Sequence, residues 1–213
     1  MTKKMNKQEL KEKYGKKRVP HEWRKTDWFT TLVVTFFGSG MSPKAPGTMG
    51  SLAAAIVAYP LAMLSYAYPI VINDNAFNTK DANALESFAA IFLAVPKNFM
   101  IAALLVFFAA IPFVKKAMKD TGTEDPGWIV IDEVCGIFMT FAFIRPEWIL
   151  NAPWILIIGF ALFRFFDILK PLGIHKTEKL PGAWGVMADD LLGGIYAGLV
   201  LVIGLVAPAV FLM

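Results

Sequence analysis

Apolar residues run in long unbroken blocks along this chain, with short polar stretches between them. The blocks cover residues 51–72, 89–114, 154–169 and 191–213, with shorter ones at 28–37 and 129–144. A hydrocarbon layer about 30 Å thick needs about 20 apolar residues in a helix, so several blocks are long enough to cross. The pattern predicts an all-α, multi-pass integral-membrane helical bundle. The two shorter blocks fit short spans, tilted helices or re-entrant pieces. Composition points the same way: 56% of the 213 residues are hydrophobic and only 18% charged, against about 25% charged in an ordinary soluble domain.

Charge is distributed unevenly. Ten of the 21 basic residues lie in the first 25 positions beside three acids, so the rest of the chain is net negative although the whole carries +4. A basic segment ahead of the first apolar block reads as a cytoplasmic tail held at anionic lipid. This divides the chain into a basic tail, 1–26, and a membrane-embedded domain, 27–213. The tail has too many acids and lysines, and lacks the small-residue site, expected of a secretory leader. No nucleic-acid recognition motif follows it, so the membrane is the expected partner. A single cysteine, Cys135, excludes an internal disulfide framework. His21 and His175 have no cysteine cluster near them in sequence to suggest zinc.

Orientation propagates from the tail. The helix at 51–72 runs outward, the polar stretch 73–87 follows, and 89–114 returns to end at Lys115, Lys116 and Lys119. That lysine cluster is what the positive-inside tendency expects on the cytoplasmic side. The register then sends 127–144 outward and 154–170 inward, and the last helix leaves at about Asp189. It also places every unusual polar cluster at the cytoplasmic end of its segment: the loop 38–51, Asp132 with Glu133, Asp167, and Asp189 with Asp190. A shared layer for five acids, level with lipid head groups, is the expectation.

Each cluster has an ordinary explanation when taken alone. Asp132 and Glu133 sit in Trp128-Ile-Val-Ile-Asp-Glu133, where acids at a helix start favour the dipole. A carboxylate in so apolar a helix nevertheless costs a few kcal/mol and usually faces a polar cavity. Asp167 has Arg164 one turn before it and Lys170 one turn after, which is also the spacing of an intrahelical ion pair. Asp189 and Asp190 read alone as helix capping. Five acids meeting in low dielectric would repel and take up protons unless a cation joined them. Magnesium, Mg2+, is the economical candidate because it takes oxygen ligands and bridges to phosphate; calcium and manganese stay open. The loop 38–51 has four Gly, three Ser, Thr48 and Lys44, so it can offer N–H groups and hydroxyls to an anion ahead of a helix. It does not match GxxxxGK[ST]. Cys135 has Phe rather than Arg six residues on, paired histidines are missing, and no Asp-x-Asp occurs. For a phosphatase, metal-assisted attack by water is then the natural chemistry.

Four ordered blocks resemble the phosphatidylglycerophosphatase A family of bacteria. They are the loop 38–51, Asp125-Pro-Gly-Trp-Ile-Val-Ile-Asp-Glu133, Phe163-Arg-Phe-Phe-Asp-Ile-Leu-Lys-Pro171 and Gly185-Val-Met-Ala-Asp-Asp-Leu-Leu-Gly-Gly194. The resemblance implies an all-helical, magnesium-dependent enzyme of the bacterial inner membrane, with its site facing the cytoplasm. Its reaction would convert phosphatidylglycerophosphate to phosphatidylglycerol and phosphate. Matched by position, Asp132, Glu133, Asp167, Asp189 and Asp190 become the catalytic and metal-binding acids. Ser39, Ser42, Lys44, Thr48, Arg164 and Lys170 become the phosphate-binding set. The competing class is a small membrane transporter or cation-binding protein, which would place acids at several depths; action on another lipid monophosphate is the nearer alternative. Oligomeric state stays open.

Overall fold

The structure, a computed structural model, describes residues 22–68, 97–171 and 173–211. The tail up to residue 21 and the polar stretch 73–87 lie outside those residues. Every regular element among the described residues is helical. They are α1 (Trp28–Val34), α2 (Pro46–Ala67), α3 (Asn98–Thr121), α4 (Ile131–Phe141), α5 (Pro146–Asn151), α6 (Trp154–Leu169) and α7 (Ala183–Phe211), with short 3-10 turns between some of them.

Local chemistry sets several boundaries. Asp27 caps α1, accepting from the Thr30 amide at 2.9 Å, as a short acceptor side chain does at a helix start. Pro46 opens α2 and Pro146 opens α5, where a missing N–H costs nothing. Gly122 ends α3 in the left-handed conformation, φ 68°.

What each long helix buries shows which solvent it meets. Along α2 the buried residues are all small: Gly50, Ser51, Ala54, Ala55, Ala58, Ala62 and Ser65. Its large apolar side chains point outward, with Ile56 65% and Leu64 58% exposed while Ala54, Ala58 and Ala62 are at 0%. Water would penalise that arrangement; lipid does not, and small residues let helix backbones approach closely. Among the described residues, three helices are long and apolar enough to cross a membrane: α2, α3 and α7 over Ala183–Leu205. This is a membrane protein.

The apolar block at 129–144, expected to run outward as a helix, is resolved differently. Its helix, α4, has 11 residues and rises only about 16 Å, roughly half a hydrocarbon layer. Residues Val134 to Phe141 along it are all buried, and it packs against α2, α3, α6 and α7. The block is apolar because protein surrounds it. Composition alone cannot separate a helix solvated by side chains from one solvated by lipid.

Two helices start earlier than the apolar pattern indicates. α2 begins at Pro46, so residues 46–50 of the Gly-rich loop are already helical. α7 begins at Ala183, which puts Asp189 and Asp190 almost two turns inside a helix and ends their reading as caps.

Close backbone contact joins α4 to α7. A Cβ on Gly194 would stand 3.0 Å from both Gly136 C and Cα, and one on Gly136 would stand 2.7 Å from the Asp190 carbonyl oxygen. Only glycines allow this crossing. Gly136 lies one turn after Glu133, and Gly194 one turn after Asp190, so the crossing fixes how near those acids come.

Candidate active site

A cavity of about 990 Å³ opens at one end of the bundle. Its walls come from the last turns of α3 and α6, the first turns of α4 and α7, and the segments before α4 and α7. The five predicted acids, Asp132, Glu133, Asp167, Asp189 and Asp190, all line it, as do Arg164 and Lys170. Their convergence follows from chain direction: α4 and α7 start at this end, while α3 and α6 finish there.

Within the cavity the acids divide by partner. One carboxylate oxygen each from Asp132, Glu133 and Asp190 lie within 4.8 Å of one another. Asp167 and Asp189 hold cations instead. Arg164 Nη1 lies 2.5 Å from Asp167 Oδ2 and 3.9 Å from Glu133 Oε1. Lys170 pairs with Asp189, not with Asp167 on its own helix as the helical spacing had indicated. It can do so because it closes α6 in the left-handed conformation, φ 44°, which turns its side chain away from the helix and toward α7.

Three unit charges within 4.8 Å repel by about 3.5 kcal/mol per pair at an effective dielectric of about 20. Arg164 offsets part of this for Glu133 only. The hydrogen-bond accounting is equally one-sided. Asp132 Oδ1, Glu133 Oε2 and Asp189 Oδ1 are buried acceptors without a partner, and Arg164 Nε is a buried donor without one. Each such group costs about 1–3 kcal/mol if nothing binds it. Unmatched acceptors on Asp132 and Glu133, with the Asp190 carboxylate beside them, suit a hard divalent cation with oxygen ligands, and an unmatched guanidinium donor suits a phosphate oxygen. The residues present therefore fit a magnesium ion held by Asp132, Glu133 and Asp190.

The Gly-rich loop reaches this cluster through residues other than those singled out in it. A Cβ on Gly47 would meet the Glu133 carboxylate and stand 3.4 Å from Arg164 Nη1. Arg164 Nη1 donates to Ser51 Oγ at 3.4 Å, while Ser51 itself donates to the Gly47 carbonyl at 2.8 Å. Gly40 and Gly50 serve packing: a Cβ at either would press on the segment 128–130 that leads into Asp132. Ser39 donates to the Thr35 carbonyl at 2.9 Å and Ser42 to the Lys44 carbonyl at 2.8 Å. Lys44 is exposed and Thr48 half-buried in the first turn of α2. None of these four lines the cavity. Cys135 is buried, its thiol donating to the Ala103 carbonyl at 3.3 Å, a structural contact.

Comparison with known proteins settles what kind of chain carries this cavity. The profile of the family described as phosphatidylglycerophosphatase A matches residues 32–205. The chain belongs to that family. A Haemophilus influenzae phosphatidylglycerophosphatase A is 38% identical over 79% of this chain and 84% of its own length. The Escherichia coli phosphatidylglycerophosphatase A is 30% identical over 81% and 82% respectively. A Bacteroides thetaiotaomicron protein, provisionally named a phosphatidylinositol-3-phosphatase, is 32% identical over 82% of this chain and 92% of its own. No solved structure matches the chain significantly. As a member of the phosphatidylglycerophosphatase A family, this protein is a phosphoric monoester hydrolase acting on lipid in a membrane.

Membership directs attention to lining residues that sequence reading left without a role: Lys115 and Lys119 at the end of α3, and Asp125 before α4. Asp125 is near enough for its charge to act on both Asp132 and Asp189. In the sequence the lysines mark only orientation. Gly136 and Gly198 also contribute without standing out in the sequence, although Gly198 follows Gly194 by one helical turn, the spacing of close helix contact.

Proposed function

We propose that this chain hydrolyses the terminal phosphate monoester of phosphatidylglycerophosphate, yielding phosphatidylglycerol and phosphate, in a magnesium-dependent reaction. The observation that carries the reading is the combination of unpartnered groups in one cavity: carboxylate oxygens from α4 and α7 beside an unpartnered guanidinium nitrogen from α6. That is a donor set for a cation and an anion together.

The division of labour follows from geometry. Asp132, Glu133 and Asp190 are the residues that would hold the magnesium. The ion would supply charge neutralisation at the phosphate oxygens and lower the proton affinity of bound water. Arg164 grips the phosphate through the edge not used by Asp167, and Ser51 and Asp167 keep its plane fixed. Lys170, steadied by Asp189, brings a second positive charge to the same cavity. Phosphoryl transfer requires mainly positioning and neutralisation from protein, and this chain's residues offer both.

Placement in the membrane belongs to the same proposal. The basic segment 1–26 and the lysines at 115, 116 and 119 would lie on the cytoplasmic side of the bacterial inner membrane, with the cavity mouth facing the cytoplasm. A cation path through the bundle would need acids at several depths. The five acids of the cavity gather at one end, and Glu147, beyond the far end of α4, is paired with Arg145, which favours hydrolysis over transport.

Phosphate release from purified protein tests the substrate. Phosphatidylglycerophosphate, phosphatidylinositol 3-phosphate and phosphatidate are offered in mixed micelles with magnesium. The highest kcat/KM is expected on the first. A clear preference for phosphatidylinositol 3-phosphate would move the assignment to the activity for which the Bacteroides relative is named. Cation movement into liposomes without hydrolysis of any of the three lipids would reject it altogether.

A further inference from the structure

We infer that Lys115 and Lys119 form a second anion subsite in the same cavity, one that takes the phosphodiester linking the head group to the lipid. The inference rests on the lipid-phosphatase reading of the cavity and extends it to the part of the substrate that does not react.

Three lysines lie close together near the end of α3, and they have different tasks. Lys116 is committed outside the cavity: its ammonium bridges Asp27 Oδ2 at 2.8 Å and Asp120 Oδ2 at 2.6 Å. Lys115 and Lys119 are four residues apart, hence on one face of the helix, and both line the cavity. Among the described residues, neither forms an ion pair with an acid. Two cations lining a cavity that acids also line, without an ion-pair partner among the described residues, form a pair suited to an incoming anion.

Size and surroundings indicate which anion. A volume of about 990 Å³ stands at the top of the range of about 300–1,000 Å³ for small-molecule sites. One phosphate group would fill only a small part of it. The reacting monoester is accounted for by Arg164 and Lys170 beside the acids, so the lysine pair serves another group. Ile168 and Leu180 also line the cavity and are 67% and 46% exposed, giving the rim an apolar sector where acyl chains leave for the bilayer. A ligand reaching from that rim to the acidic triad passes its diester before its monoester. Lys side chains near a membrane surface keep an apolar stem in the hydrocarbon and a charged head in the polar layer, which suits them to this position.

The subsite specifies a chemical class: a lipid with a phosphodiester followed, across a polyol, by a phosphate monoester. Phosphatidate, whose only phosphate is the monoester, leaves Lys115 and Lys119 unused. The two lipids named for the relatives both have diester and monoester, so this feature is common to them.

The test is equilibrium binding by calorimetry in detergent with magnesium present, on the full chain. Dihexanoyl phosphatidylglycerol carries the diester alone, and inorganic phosphate stands in for the monoester alone. In the Lys115→Ala/Lys119→Ala protein, Kd for dihexanoyl phosphatidylglycerol should rise at least about tenfold, as expected for loss of two charged contacts in a partly desolvated site. Kd for phosphate should stay within about twofold of wild type. Lys176→Ala removes an exposed cation outside the cavity and should change neither constant. An unchanged Kd for the diester in the double variant overturns the inference. So does an equal rise for both ligands, which would mean the lysines act only through the general field. Neither readout requires turnover, so failure of the subsite is distinguishable from failure of the proposed reaction.

Discussion

Replacing Gly194 by alanine adds one methyl group at the point where α7 meets α4. The new Cβ would stand 3.0 Å from Gly136 C and Cα, where ordinary contact begins near 3.4 Å, and closer still to the Gly136 carbonyl oxygen. Backbone has no rotamer with which to yield, so the helices must separate by several tenths of an ångström to about 1 Å. Overpacking of this kind costs about 1–3 kcal/mol. The larger effect falls on the site, because Asp190 precedes Gly194 by one turn and Glu133 precedes Gly136 by one turn. Misplacement of reacting groups by about 1 Å lowers turnover about 100-fold. Gly204→Ala is the control: it lies on the same helix, with nothing within 4 Å of the added Cβ, and should be neutral or slightly stabilising. Phosphate release and thermal unfolding in detergent are measured for both variants. The expected result is a large loss of kcat in Gly194→Ala, with folding retained, and none in Gly204→Ala. Full activity in Gly194→Ala would refute the claim that glycine contact between α4 and α7 sets the spacing of the acids.

Other substitutions probe separate parts of the account. Arg164→Lys keeps the charge but loses the planar fork that meets Asp167, Ser51 and Glu133; kcat should fall about 100-fold with little change in unfolding temperature, as read by the same two assays. Asp27 is held well below the ordinary carboxylate value of 3.8 by its hydrogen bond to Lys116, helped by the Thr30 amide. A depressed folded-state value stabilises the protein above pH 4 and loses that contribution as the pH falls. Asp27→Asn should therefore unfold at a lower temperature than wild type at pH 7, and the gap between the two melting curves should begin to narrow only as the pH falls below about 4.

The sequence carried the acids because an ionised side chain in an apolar block is costly and conspicuous. Asp132 and Glu133 are visible for that reason, and chain direction was enough to predict that Asp167, Asp189 and Asp190 would share their end of the bundle. Pairing was less legible. Lys170 satisfies the helical spacing to Asp167 yet reaches Asp189, because its own left-handed backbone turns it toward another helix. The role of α4 was hidden by chemistry: Val134 to Phe141 would look the same in lipid as in a protein core. The Gly-rich loop was noticed for its flexibility and hydroxyls. Its glycines matter for closeness, with Gly47 against Glu133 and Gly40 and Gly50 against the segment before Asp132. Ser39 and Ser42 turn their hydroxyls to nearby carbonyls, which only coordinates reveal.

The central claim is that the three carboxylates of Asp132, Glu133 and Asp190 act together by holding a divalent cation against the substrate phosphate. Phosphate release from phosphatidylglycerophosphate by wild type and Asp190→Asn, before chelation, after it and after magnesium is returned, measures this directly. Chelation should abolish wild-type turnover, magnesium should restore it, and Asp190→Asn should stay near background throughout. Undiminished wild-type hydrolysis in excess chelator, or wild-type rates in Asp190→Asn, would contradict the claim.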